Sequence, residues 1–220
     1  MSDVRAFVAE TLGHGARDIS LFERALTHSS LGKDSYERLE FLGDRVIGLV
    51  IARLLYERFD KEPEGKLSRR YNVLVSRETC AEVGREIGLP PIINLGKQAR
   101  EDGAQQSDNV IGDVVEALIG ALLLDGGLDK ADAFIRRAWA PYVESQGRAP
   151  KHPKSALQEL AAARNWAAPD YEVERKSGAH HAPRFTVRVA IAKVGEASAE
   201  GSSKQEAETL AAAALLDQLS

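Results

Sequence analysis

Apolar residues recur at helical spacing through the first two thirds of the chain, and then the period changes. From Val4 to about Gln146 the pattern predicts helices almost throughout, with turn signals at Gly13 to Gly15, Glu62 to Gly65, Gly88 to Pro91 and Gly126-Gly127. The polar stretch Gly96 to Ser107 reads as a mobile loop. Ser107 or Asp108 then offers an N-cap and Gly126 a C′ residue for an apolar helix between them. Glycine, prolines and charges from Ser145 to Pro153 mark a linker. Beyond it Ala156 to Arg164 is helical, while Tyr171 to Lys176 and Phe185 to Ile191 alternate. In the second of these, Phe185, Val187, Val189 and Ile191 share one face. Val194 to Glu200 is a weaker strand. Ser203 to Leu219 is an alanine-rich helix opened by a capping box, Ser203 with Glu206. The prediction is an all-α domain over residues 1–146, a linker at 147–152, and a small α+β domain of order α-β-β-β-α over 153–220.

Two of the predicted helices carry carboxylates where apolar residues are expected. One holds Glu37-Arg38-Leu39-Glu40-Phe41-Leu42-Gly43-Asp44-Arg45-Val46-Ile47; the other runs from Asn109 to Leu124, where Asp113 and Glu116 are the only charged side chains. At roughly 100° per residue Glu40 and Asp44 lie within about 40° of each other, and Asp113 and Glu116 within about 60°. Ile47 and Ile51 share the first acidic sector; Ile119 and Leu123 flank the second. A helix apolar around most of its circumference is a buried one. Burying unpaired carboxylates side by side is costly, and no lysine or arginine shares their sector. A bound hard cation such as Mg²⁺, which takes oxygen ligands and keeps waters and substrate phosphates in its shell, resolves the conflict. For a single pair, a solvated helix edge explains the acids as well. Two pairs on two apolar helices, with Gly43, Gly112 and Gly120 allowing close approach, favour the cation.

Composition narrows the class. The one cysteine, Cys80, leaves no internal disulfide and no cysteine-rich zinc site, and reads as a small core residue. The first ten positions include Asp3, Arg5 and Glu10 and no apolar core of a secretory signal. The longest uncharged apolar run, Ala117 to Leu124, is too short for a membrane span. A soluble, cytoplasmic protein with no membrane partner is expected. The net charge is −4. Residues 151–220 hold nine basic and nine acidic side chains, which leaves the whole excess to residues 1–150. Binding of nucleic acid therefore has to rest on local placement of charge, not on a basic domain.

ERLEFLGD at 37–44 resembles the signature of the ribonuclease III family, and DVVEALIGALLLD at 113–125 resembles its second acidic element. The C-terminal α-β-β-β-α unit is similar to the double-stranded-RNA-binding domain that follows the nuclease domain in the bacterial enzymes. The likeness covers the whole chain in the right order. It implies that Glu40, Asp44, Asp113 and Glu116 hold divalent metal (Mg²⁺, with Mn²⁺ as a substitute), and that Asp44 and Glu116 matter most for catalysis. Glu37 matches the signature too, with metal binding and salt-bridging or backbone support equally open. Phe41 would contact the partner subunit of a homodimer; ordinary core packing is the competing reading. Arg45 departs from related signatures, which often carry a small polar residue. It either lowers the pKa of Asp44 or lies along a phosphate.

The implied reaction is hydrolysis of duplex RNA to 5′-phosphate and 3′-hydroxyl ends, in processing of rRNA precursors and structured transcripts. Duplex RNA is read by shape across its shallow minor groove. Three elements of the second domain match that task. Gln158 and Glu159 lie on its first helix. His181, three residues after Gly178 and four before Phe185, matches the family's minor-groove histidine, whereas His180 reads as incidental. Ser203, Lys204 and Gln205 open the last helix, where free N–H groups favour an anion. Gln205 stands where the family has a second lysine, which predicts fewer phosphate contacts and a shallower salt dependence. A di-iron oxidoreductase would need Glu-x-x-His motifs, and the +3 positions here are Glu40 and Glu116. A non-catalytic RNA-binding protein of the same fold would not be expected to keep all four acids.

Overall fold

The computed structural model describes residues 2–32, 34–147, 149–179 and 182–219. It divides into two compact units, residues 1–149 and 150–220. The first is built from helices α1 (Ser2–Phe7), α2 (Ile19–Ala25), α3 (Glu37–Arg58), α4 (Glu64–Leu74), α5 (Arg77–Glu86), α6 (Lys97–Glu101), α7 (Asp108–Gly126) and α8 (Leu128–Ser145). Helix α7 is the axle. Between Val110 and Leu122 every residue is buried except Asp113 and Glu116. Its neighbours are α3, α5, α8 and α2, which enclose it on all sides.

The apolar positions predicted for α3 are the ones that face α7. Ile47 and Ile51 are fully buried, as are Ile111, Leu118 and Ile119 on the partner helix. Each such side chain contributes roughly 1.5–3 kcal/mol through loss of apolar surface to water. On α8, Phe134, Ile135 and Trp139 close the far side, and the Trp139 indole donates to the Leu74 carbonyl at 2.7 Å. Arg70 is the one fully buried cation among the described residues. Its guanidinium pairs with both oxygens of Glu62 at 2.8 Å and lies 3.8 Å from the centre of the Phe59 ring. Cys80 is buried in the same core.

Two local expectations need correction. Gly96 to Ser107 is not an irregular loop: it folds into α6 and a single tight turn at Ala104–Gln106. The Arg100 and Asp102 amides close i+4 bonds, those of Gly103, Gln106 and Ser107 close i+3 bonds, and the Gln105 side-chain amide donates to the Pro90 carbonyl at 2.6 Å. At the end of α7 the terminating glycine is Gly127, not Gly126. Gly127 takes the positive φ of 84° while its amide closes on Leu123 at 2.9 Å, so the helix runs one residue further.

The second unit has helix α9 (Pro153–Ala163), strands β1 (Asp170–Ala179), β2 (Ala182–Ile191) and β3 (Gly195–Gly201), and helix α10 (Lys204–Leu219). The strands form one antiparallel sheet in the order β1-β2-β3, with a bulge in β1 between Val173 and Arg175. Val189 and Ile191 point from β2 onto Leu157 and Ala161 of α9 and Ala211, Ala212 and Leu215 of α10. The alternate residue Arg188 turns outward, onto Glu172 and Glu196 at 2.7 Å each. The strand period read from the sequence thus sets which face receives the helices. Among the described residues no helix is long and apolar enough to cross a membrane.

Candidate active site

The backbones of α3 and α7 nearly touch. A Cβ placed on Gly43 would lie 1.7 Å from the Glu116 carbonyl oxygen, and one on Gly120 would lie 2.3 Å from that of Leu39. Only hydrogen fits at either position. The two glycines bracket the acids, since Gly43 precedes Asp44 and Gly120 follows Glu116 by one turn.

Glu40, Asp44, Asp113 and Glu116 are each half-buried on this seam. Burial raises the Glu116 carboxyl to about 8, and the charges of Asp44, Asp113 and Glu40 push the same way. Burial also raises Glu40, with Asp113, Glu37 and Asp44 adding to it. Asp113 is raised by burial, against a hydrogen bond from Tyr36 and the charges of Arg77 and His28. The four acids predicted from the sequence therefore share one electrostatic environment. Glu37 is exposed at its rim, accepting from the Ser35 hydroxyl at 3.0 Å.

Three further groups border the cluster, and the sequence reading did not single them out. Arg77 opens α5, and its stem packs near Gly112, beside Asp113. It is the cation that opposes the raised carboxyls of Glu40, Asp113 and Glu116. No periodic or motif signal links it to residues some forty positions away. Tyr36 is buried and donates its phenol to Asp113 Oδ2 at 3.2 Å. Burial and the Asp113 charge hold that phenol far above its usual pKa, so it remains a donor. Cys80 lies close enough to Glu116 and Asp44 for their charges to add to the burial that pushes its thiol up to about 12. It is not a nucleophile at neutral pH.

Arg45 sits beside Asp44 on α3. The two side chains are paired, and the guanidinium lies 4.4 Å from the centre of the Phe41 ring. Both partners are about half exposed, so the pair is worth little stability. Phe41 is 63% exposed, which excludes ordinary core packing within the chain. Beside it a cleft of about 720 Å³ is lined by Leu21, Arg24, Leu39, Leu42 and Leu124 among others.

The donor set suits a hard divalent cation. All four donors are carboxylates and each is partly buried, and on their own helices only Arg45, paired with the half-exposed Asp44, opposes their mutual repulsion. Among the described residues no group of three or more His, Cys, Asp or Glu side chains stands close enough together to hold a metal ion as placed. Asp44 and Asp113 are instead turned onto Arg45 and Tyr36, as expected where like charges repel.

In the second unit Gln158 and Glu159 are exposed on α9, with Glu159 paired to Lys151. Ser203, Lys204 and Gln205 are exposed at the start of α10. Ser203 Oγ accepts the Glu206 amide at 3.1 Å, but Glu206 reaches back to the Ser202 amide at 2.6 Å, one residue before the expected partner. Glu208 takes Lys154 at 2.5 Å and Lys204 at 3.7 Å. His181 lies outside the described residues.

A helical domain with four acidic side chains along one helix seam, followed by a helix-flanked three-stranded sheet, has the form of a nuclease domain joined to an RNA-binding module. Residues 18–142 match the family described as Ribonuclease-III-like, and residues 153–219 match the double-stranded RNA binding motif. Ribonuclease 3 of Zymomonas mobilis is 59% identical over 212 residues, covering 96% of this chain and 86% of that protein. Ribonuclease 3 of Azorhizobium caulinodans is 44% identical over 224 residues, covering 98% and 95%. The crystal structure of the nuclease domain of ribonuclease III from Campylobacter jejuni superposes with a TM-score of 0.60 at 30% identity, over 69% of this chain and 100% of that one. A second structure of that domain, described for flexibility in a region involved in dimer formation, gives 0.58 at 32% identity, over 60% and 93%. The chain belongs to the ribonuclease III family, whose nucleases require a divalent metal and cut double-stranded RNA.

Proposed function

We propose that Glu40, Asp44, Asp113 and Glu116 hold Mg²⁺, for which Mn²⁺ can substitute, and that the chain hydrolyses duplex RNA there to 5′-phosphate and 3′-hydroxyl ends. The supporting observation is the convergence of four half-buried carboxylates from α3 and α7, with Glu116 raised to about 8. When bound, the metal supplies a water of lowered pKa and stabilises charge on the departing 3′ oxygen. The chain's residues create the setting for it. Gly43 and Gly120 bring the two helices together, the apolar flank of α7 excludes bulk water, and Arg77 offers a positive charge at the rim. Asp44 and Glu116, from opposite helices, are the acids whose loss is most damaging. Glu37 is a rim residue.

The second unit supplies recognition by shape, through Gln158, Glu159 and His181 at the minor groove and Ser203, Lys204 and Gln205 at a phosphate. The domain boundaries are 1–146 and 153–220. Phe41 is a homodimer contact: an aromatic ring exposed beside a cleft that Leu21, Leu39, Leu42 and Leu124 line together with charged residues such as Arg24 and Arg38 is costly in water and suits insertion into a second copy. Two sites then serve opposite strands. The natural substrates are rRNA precursors and structured transcripts in the cytoplasm.

The test is a long RNA duplex incubated with the protein and Mg²⁺, with a chelator control and an enzyme specific for 5′-phosphate ends applied to the products. Cleavage that survives the chelator, or products lacking 5′-phosphates, would sink the reading.

A further inference from the structure

We propose that Tyr36 is a positioning residue that ties the two halves of the carboxylate site together and orients Asp113 toward the divalent ion. It rests on the proposed role of Asp113 as a ligand. Tyr36 stands at the N-terminal boundary of α3, 4% exposed, and its main chain is bonded in both directions. Its amide donates to the Thr27 carbonyl at 2.9 Å, and its carbonyl accepts the Leu39 and Glu40 amides at 2.8 and 2.9 Å. One residue therefore anchors the backbone of Glu40, on α3, and the side chain of Asp113, on α7. The phenol spans from one helix to the other through a single hydrogen bond to Oδ2. No other side-chain hydrogen bond to Asp113 is made among the described residues, so the Tyr36 hydroxyl is what fixes its carboxylate.

The ring itself is held. His28 packs edge-on against it, with centroids 5.7 Å apart and planes at 65°, and His28 Nδ1 accepts the Ser30 amide at 3.0 Å. Removing the hydroxyl should leave this packing intact and free the Asp113 carboxylate to turn. Ligating carboxylates are held by outer hydrogen bonds, and losing one typically weakens metal binding about 10- to 100-fold.

The experiment is Mn²⁺ binding to the full chain without RNA, followed by calorimetry and by electron paramagnetic resonance, for the unaltered protein, Tyr36→Phe, Asp113→Asn and the double variant. Tyr36→Phe is expected to weaken Mn²⁺ binding about tenfold or more, with an unchanged melting temperature and unchanged duplex-RNA affinity. In the double variant the second change should add nothing to Asp113→Asn, because the hydroxyl acts through that carboxylate. Unchanged or tighter Mn²⁺ binding in Tyr36→Phe overturns the proposal, as does a fully additive double variant. If Asp113→Asn itself leaves Mn²⁺ binding intact, the ligand assignment fails instead. If Tyr36→Phe melts early, Mn²⁺ affinity is scored per folded molecule, and an affinity equal to that of the unaltered protein overturns the proposal.

Discussion

Gly43 faces the carbonyl of Glu116 so closely that a single methyl group cannot be placed between them. The obstacle is helical backbone, which cannot rotate aside as a side chain can. Gly43→Ala is therefore expected to push α3 off α7, costing about 1–3 kcal/mol or more in stability and separating Asp44 from Glu116. Metal-dependent cleavage should fall further than the melting temperature alone predicts. Equal activity per folded molecule in Gly43→Ala and the unaltered chain would show that the helix separation is not what assembles the acids.

Glu116 should be dispensable for holding RNA and indispensable for cutting it. Even residues that merely support metal ligands cost 10- to 100-fold when removed, so Glu116→Ala is expected to lower cleavage by more than about a hundredfold. Duplex-RNA affinity, measured by filter binding in the presence of a chelator, should stay within about twofold, because the double-stranded RNA binding motif lies in residues 153–219. Loss of binding in step with cleavage would contradict the roles given to the two units.

The same carboxyl makes the metal-free protein sensitive to base. Glu116 is raised from 4.5 to about 8, first by burial and then by Asp44, Asp113 and Glu40. The folded state therefore holds a proton that the unfolded state has lost across this window. Its stabilising contribution is full below pH 4.5, declines as pH rises and is gone above about 8. Glu40 and Asp113 are shifted in the same direction. Urea midpoints in a chelator should thus fall between pH 5 and pH 8.5, and Glu116→Gln should flatten the fall. An unchanged difference between the two proteins across that range would mean that Glu116 ionises freely in the fold.

Periodicity made the carboxylate seam legible because its signals are local. Glu40 with Asp44 and Asp113 with Glu116 each sit one turn apart on helices rich in apolar residues, so local spacing alone places each pair on one helix face. What borders the seam is tertiary. Arg77 reaches it from α5, and its own neighbourhood in the sequence, Ser76 and Glu78, reads as a helix start on a solvated face. Tyr36 adjoins the acidic signature, yet its chemistry depends on which atom of α7 lies opposite. The segment from Gly96 to Ser107 misled for another reason: its polar composition matches a loop, while short-range backbone bonds and the tether from Gln105 to Pro90 order it. The choice of Gly127 over Gly126 as the helix stop turns on which glycine takes positive φ, and adjacent glycines look alike in sequence.

Charge placement in the second unit leads to the last prediction. Lys154 and Lys204 both lean on Glu208, and Lys151 is paired with Glu159, so cations near the proposed RNA face are already neutralised. Binding a duplex releases about one counterion per phosphate newly paired with a cation, giving a logarithmic salt slope near −0.9 per contact. With these three lysines preoccupied, the chain is expected to show a slope no steeper than about −3. Glu208→Gln frees two of those lysines, and should tighten duplex binding at low salt and steepen the slope by about one to two. The measurement is a titration of a labelled duplex at several potassium chloride concentrations in a chelator, which suppresses cleavage. A slope in the unaltered chain as steep as that of a strongly basic binder would refute the view that these lysines are held back. An unchanged slope in Glu208→Gln would show that neither Lys154 nor Lys204 meets the phosphate backbone.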